Sequence, residues 1–125
     1  MNMRTPLSRA RGLGSAKTGT DHWWAQRLTA LALVPLTIWF VVSMILVTSA
    51  DHAAAVDFIS SPINSILLIL LVIATFHHGQ LGLQVVIEDY IHLKWLEVSL
   101  IIAVKGAAVF LGVASVYAVI AIALT

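Results

Sequence analysis

The sequence predicts an all-α membrane protein with three transmembrane helices, and three observations carry that expectation. The 125 residues are 60% hydrophobic and only 10% charged, against roughly half apolar and a quarter charged in ordinary soluble domains. A globule of this size cannot hide that much apolar surface, so a bilayer must take much of it. The apolar residues also gather in three long runs with short polar stretches between them. Finally, five of the seven Lys and Arg residues precede or open the first run. The length allows one domain at most.

Taken in order, residues 1–21 form a basic N-terminal segment. Arg4, Arg9, Arg11 and Lys17 precede the first acid, Asp21, and Gly12, Gly14 and Gly19 argue against a rigid helix there. Residues 22–125 form the membrane unit. Its first helix is expected over about 26–49, around the apolar run from Leu28 to Thr48, close to the twenty or so residues a bilayer core requires. That run is too long for the hydrophobic part of a cleavable signal, although Ala53 to Ala55 could mimic a cleavage site. Pro35 lies inside it and is expected to kink it. The second helix, about 61–91, opens on Ser61-Pro62, where proline's missing N–H costs nothing. The third is expected over about 95–124. Helices are the expected state because lipid offers backbone groups no hydrogen-bond partners.

The basic residues set the orientation. Arg4, Arg9, Arg11, Lys17 and Arg27 precede the first span, the 49–60 loop has no basic residue, the 88–96 loop has Lys94, and the C-terminus has none. The positive-inside rule places the N-terminus and the 88–96 loop in the cytoplasm, with the 49–60 loop and C-terminus outside. Trp23, Trp24 and Trp95 then form an aromatic belt at one interface. Small residues in the third helix, among them Ala103, Gly106, Ala107, Ala108 and Gly112, would let another helix approach closely. The chain therefore reads as a subunit of something larger.

Several function classes are excluded. The chain has no cysteine, so it holds no disulfide, thiolate metal site or cysteine-bound iron–sulfur cluster. It contains no phosphate loop, zinc-protease signature or nucleophile elbow, and nothing suggests a self-contained enzyme or a nucleic-acid partner.

The chemistry-bearing residues lie on the second helix, in "HHGQLGLQVVIEDY" (77–90). At 100° per residue His78, Gly82, Val85 and Asp89 share one face, and His77, Leu81, Gln84 and Glu88 the neighbouring stripe. His78 falls inside the hydrocarbon region, and Asp89, about 16 Å further along the axis, reaches the cytoplasmic boundary. An ionisable residue at that depth is a functional hypothesis by default. Without cysteine, the metal group that one buried histidine face suits is a haem with one axial ligand from this chain, and Gly79 and Gly82 would leave room for a flat macrocycle. The alternative is a histidine hydrogen-bonded to a neighbouring helix. The first and third helices contain no histidine, so a second axial ligand would have to come from a partner chain.

Asp89-Tyr90 reads either as an interfacial acid and phenol or as a hydrogen-bond donor to a carbonyl with a carboxylate beside it. Arg27, at the same depth, reads as a membrane-end anchor or as a partner for propionates or a carbonyl oxygen. Lys105 lies well inside the third span and can snorkel toward the cytoplasm or meet an acidic partner. His22, His52 and His92 lie near interfaces or in loops and are assigned no chemistry.

"HWWAQRLTA" (22–30) followed by "HHGQLGLQVVIEDYIH" (77–92) resembles the smaller hydrophobic anchor of succinate dehydrogenase, respiratory complex II. The most specific part is a histidine eleven residues before Asp-Tyr on the second helix. The resemblance implies a non-catalytic subunit, packed in a helical bundle with a second hydrophobic anchor (cytochrome b556-like). It also implies a flavoprotein subunit that oxidises succinate and an iron–sulfur subunit that passes electrons to quinone. It implies haem b shared between the anchors, with His78 the axial ligand and His77 the fallback. It implies a quinone site with Tyr90 as donor to the quinone carbonyl, Asp89 as supporting acid, and Arg27 at the propionates or the quinone. No residue of this chain is expected to be catalytic.

Two further readings stand beside it. One is the anchor of a fumarate reductase running in the opposite direction; the other is a small structural or transport subunit with His77, His78 and Lys105 as a proton relay. An Arg-rich, acid-poor start also suits a mitochondrial targeting segment. The chain begins at Met1 with this segment in place, so a bacterial inner membrane is expected, with the mitochondrial inner membrane as alternative.

Overall fold

The computed structural model describes residues 5–10 and 17–125. These form α1 (Pro6–Ala10), α2 (Lys17–Thr48), α3 (His52–Ser60), α4 (Pro62–Tyr90) and α5 (Lys94–Ala123), with no strand among the described residues. Arg4, Arg11, Gly12 and Gly14 lie outside the described residues, as do the side chains of Arg9 and Lys17. Three segments are long and apolar enough to cross a membrane: Thr20–Thr48, Pro62–Tyr90 and Lys94–Ala123, each of 29 or 30 residues. At 1.5 Å per residue these run to about 44 Å, more than the roughly 30 Å of a hydrocarbon core. Their ends therefore stand in the interfacial layers.

Two local features differ from the sequence reading. α2 begins at Lys17, so Gly19 and the end of the basic segment are helical, and the helix continues through Pro35. The 49–60 stretch, read as a loop, contains α3. Its start is capped by Asp51, whose carboxylate accepts the Ala54 N–H at 2.9 Å, which satisfies one of the donors left unpaired at a helix start. The signal was present in the sequence as an aspartate before a run of alanines.

α4 sits in the middle. It packs against α2 on one side and α5 on the other, while α2 and α5 do not meet. α3 touches all three long helices at one end. There Phe58 stacks on Trp39 at 6.0 Å between ring centroids. Asn64 donates to the Phe58 carbonyl at 3.0 Å, Ser65 donates to the Ile59 carbonyl, and Ser60 reaches the Ile122 carbonyl at 3.4 Å. These contacts close the end of the layer.

A single layer of helices buries very little. Among the described residues only Leu68, Ala74, Leu81 and Ser43 are buried, and large apolar side chains such as Leu31, Phe110 and Tyr117 are more than 70% exposed. Exposed apolar surface on this scale demands an apolar surrounding, and helices that are hydrophobic all round find one in lipid or in other helices. The chain is a three-span membrane protein.

Candidate functional site

His78 stands on the side of α4 that faces α2. Its Nδ1 lies 3.1 Å from Thr29 Oγ1, and Thr29 in turn donates to the carbonyl of Ala25 at 2.7 Å, with the Gln26 carbonyl at 3.1 Å. Both side chains are partly buried. The hydrogen bond to a neighbouring helix, raised as an alternative to ligation, is thus present. It occupies one ring nitrogen only. A second polar side chain completes this crossing: the Gln26 amide approaches Gly82, where a Cβ would lie 3.6 Å from Nε2. Its Oε1 is buried without a hydrogen-bond partner. An orphaned buried oxygen costs about 1–3 kcal/mol, which a donor from outside the chain would relieve.

The two glycines beside His78 have different surroundings. A Cβ on Gly79 would meet nothing within 4 Å, so that side of α4 is open, whereas Gly82 is turned toward Gln26 on α2. The open space at this level of α4 lies at Gly79, next in sequence to His78.

His77, one residue earlier, points elsewhere. It is exposed and lines a groove of about 730 Å³ between α4 and α5, together with Gln80 and Lys105 at its polar part and Phe76, Gly112 and Tyr117 among its apolar walls. Gly112 packs under the Phe76 ring, 3.7 Å from where a Cβ would stand. The small residues of α5 therefore serve two faces, since Gly106 has open space beside it. Gln80 continues into a ladder toward the end of α4: it donates to Gln84 at 3.1 Å, and Gln84 donates to Glu88 at 3.0 Å. Such i,i+4 pairs stabilise the helix face by a few tenths of a kcal/mol each.

At the C-terminal end of α4, Asp89 and Tyr90 are both exposed, Tyr90 by 76%. Neither forms a side-chain hydrogen bond or ion pair among the described residues. Lys94, in the same 88–96 stretch, pairs with Glu97 at 3.5 Å. Arg27 lies over the Trp23 ring at 5.4 Å from its centroid, and Trp23 meets Trp24 edge-on at 5.0 Å. The tryptophan holds the guanidinium by a cation–π contact, and Arg27 is not joined to Asp89 or Tyr90 within this chain. No group of three or more His, Asp or Glu capable of holding a metal ion exists among the described residues.

The structure thus separates the residues read from the sequence into three places: His78 at the α2–α4 crossing, His77 and Lys105 in the α4–α5 groove, and Asp89 and Tyr90 at the end of α4. Sequence reasoning missed Thr29 and Gln26. The only signal for them was polarity within the otherwise apolar start of the first span.

Residues 1–122 match the family model for the succinate dehydrogenase/fumarate reductase transmembrane subunit. The chain is 39% identical over 118 residues to the succinate dehydrogenase hydrophobic membrane anchor subunit of Rickettsia bellii, covering 94% of each chain. Over 118 residues it is 30% identical to the protein of the same description from Rickettsia typhi, again covering 94% of each. It is 32% identical over 90 residues to that of Paracoccus denitrificans, covering 72% of this chain and 70% of the relative.

Proposed function

This chain belongs to the succinate dehydrogenase/fumarate reductase transmembrane subunit family, and from that premise we propose that it anchors a succinate dehydrogenase to a bacterial inner membrane. It supplies one axial ligand to haem b and part of a quinone site. The basic N-terminus and the 88–96 loop face the cytoplasm, on the side of the flavoprotein and iron–sulfur subunits. A second hydrophobic anchor would hold the same haem from its other side.

The residues fit a haem. His78 is half-buried in a span with one ring nitrogen engaged, and the neighbouring Gly79 is open on its own side of α4. Neutral imidazole bound to iron also resolves the cost of a titratable group in lipid. His78 would hold the iron and Arg27 a propionate, by a charge-assisted hydrogen bond. When bound, haem b supplies a one-electron carrier in the membrane.

At the end of α4, Tyr90 directs its phenolic proton to a quinone carbonyl, and Asp89 supports it. Both side chains are free to turn toward a substrate or partner subunit, because neither is tied within the chain. Arg27, held on Trp23, adds positive charge at the same interface. The observation that carries this reading is His78, the histidine eleven residues before Asp-Tyr, set within a span beside the open flank of Gly79.

The absorbance of the purified complex tests it. The unaltered complex should show a b-type spectrum that His78→Ala removes and His77→Ala keeps. Full haem content in His78→Ala would overturn the ligand assignment. A relay through His77, His78 and Lys105 is a second reading; His77 and Lys105 line the same α4–α5 groove, and His78 is turned toward Thr29 on α2.

A further inference from the structure

The hydrogen bonds of Thr29 bear on which nitrogen of His78 carries the proton. A threonine hydroxyl has one proton to donate and two lone pairs to accept with. Thr29 Oγ1 lies 2.7 Å from the Ala25 carbonyl and 3.1 Å from the Gln26 carbonyl. Neither carbonyl can donate, so the hydroxyl proton serves this end of the contact. Toward His78 Nδ1, 3.1 Å away, the same oxygen can only accept. Nδ1 is then the protonated nitrogen, and Nε2 holds the lone pair. The opposite assignment would withdraw the proton from a 2.7 Å O–H···O bond to serve a 3.1 Å contact, and would leave an Nε2–H to be satisfied elsewhere.

We propose that Thr29 is a positioning residue that selects the Nε2-ligating tautomer of His78 and fixes its ring direction from α2. The proposal rests on the reading of His78 as the haem ligand. It also gives a physical reason for the choice between adjacent histidines: among the described residues His77 has no hydrogen-bond partner, so neither its tautomer nor its ring direction is set. Partners of this kind on the far nitrogen of a metal-binding histidine raise its basicity, and their loss costs about 10- to 100-fold in metal affinity. A more basic imidazole favours ferric over ferrous iron. Removing the hydroxyl therefore weakens the ferric state more and moves the haem midpoint potential upward, by about 59 mV for each tenfold of differential loss in a one-electron couple.

The test uses the complete complex in its native membrane. Thr29→Val removes the hydroxyl at nearly constant shape, and Thr29→Ser restores it without the methyl group. The expected result is a raised midpoint potential, an altered ferric electron paramagnetic resonance signal and faster haem loss in Thr29→Val, with recovery in Thr29→Ser. Parent-like potential and ferric signal in Thr29→Val would overturn the proposal while leaving His78 as ligand. Equal defects in the valine and serine variants would also overturn it, by tracing the effect to packing. Full haem content in His78→Ala would instead remove the reading beneath it. If Thr29→Val does not assemble, a structure of the unaltered complex decides. Nε2 toward iron with Nδ1 on Thr29 supports the proposal, and Nδ1 toward iron or Thr29 turned away refutes it.

Discussion

Replacing Tyr90 by phenylalanine removes one hydroxyl from a side chain that is 76% exposed and has no hydrogen-bond partner among the described residues. Nothing in the chain's own fold depends on that oxygen, so the change in stability should lie within about 0.5 kcal/mol, as for surface positions generally. Its effect should therefore fall on whatever the phenol contacts from outside. If that is a quinone carbonyl, one neutral hydrogen bond is lost, worth about 0.5–1.5 kcal/mol. At 1.36 kcal/mol per decade, kcat/KM for quinone should fall by about two- to thirteen-fold. The assay compares succinate-dependent quinone reduction with succinate-dependent reduction of a soluble artificial acceptor in the same membranes. Only the first should decline. Equal loss of both would mean that the complex had come apart, and unchanged quinone kinetics would remove Tyr90 from the site.

Arg27→Ala removes both the charge and the cation–π contact with Trp23; it should lower haem retention or quinone turnover, and parent-like values of both would leave Arg27 as an interfacial anchor. Gly112→Ala should be nearly neutral, because its Cβ would meet Phe76 at an ordinary 3.7 Å, whereas Gly112→Leu should force α4 and α5 apart and lower the thermal midpoint of the detergent-solubilised complex by several degrees. A leucine variant as stable as the parent would show that Phe76 gives way without cost. Asp51→Ala removes the side-chain cap of α3 and should destabilise that helix by about 1 kcal/mol, read as faster hydrogen exchange in 52–60; parent-like exchange would mean that the Trp39–Phe58 stack holds α3 unaided.

The spans were legible because burial in lipid depends on local composition, which each apolar run carries by itself. Ser61-Pro62 marked the start of α4 for an equally local reason, the proline's missing donor. α3 was passed over although Asp51 announced it, because a short helix between two spans leaves no hydrophobic run of membrane length. α2 reaches back to Lys17 through Gly19, where one glycine's cost of about 1 kcal/mol does not interrupt a helix that continues for a further 29 residues to Thr48.

His78, Asp89 and Tyr90 could be placed along one helix from sequence alone, since positions on a helix follow from its 3.6-residue turn. What each side chain faces could not. His77 and His78 are chemically identical and differ by a single 100° step about α4, yet one opens on the α5 groove and the other meets Thr29 on α2. Thr29 and Gln26 gained significance only when α2 was laid against α4, because a hydrogen bond between residues 49 positions apart exists only once the helices cross. Sequence determined which helices form and what chemistry they carry; the packing of α4 between its two neighbours decided which histidine meets a hydrogen-bond partner on another helix, because such a contact is a property of the crossing and not of the strip of residues.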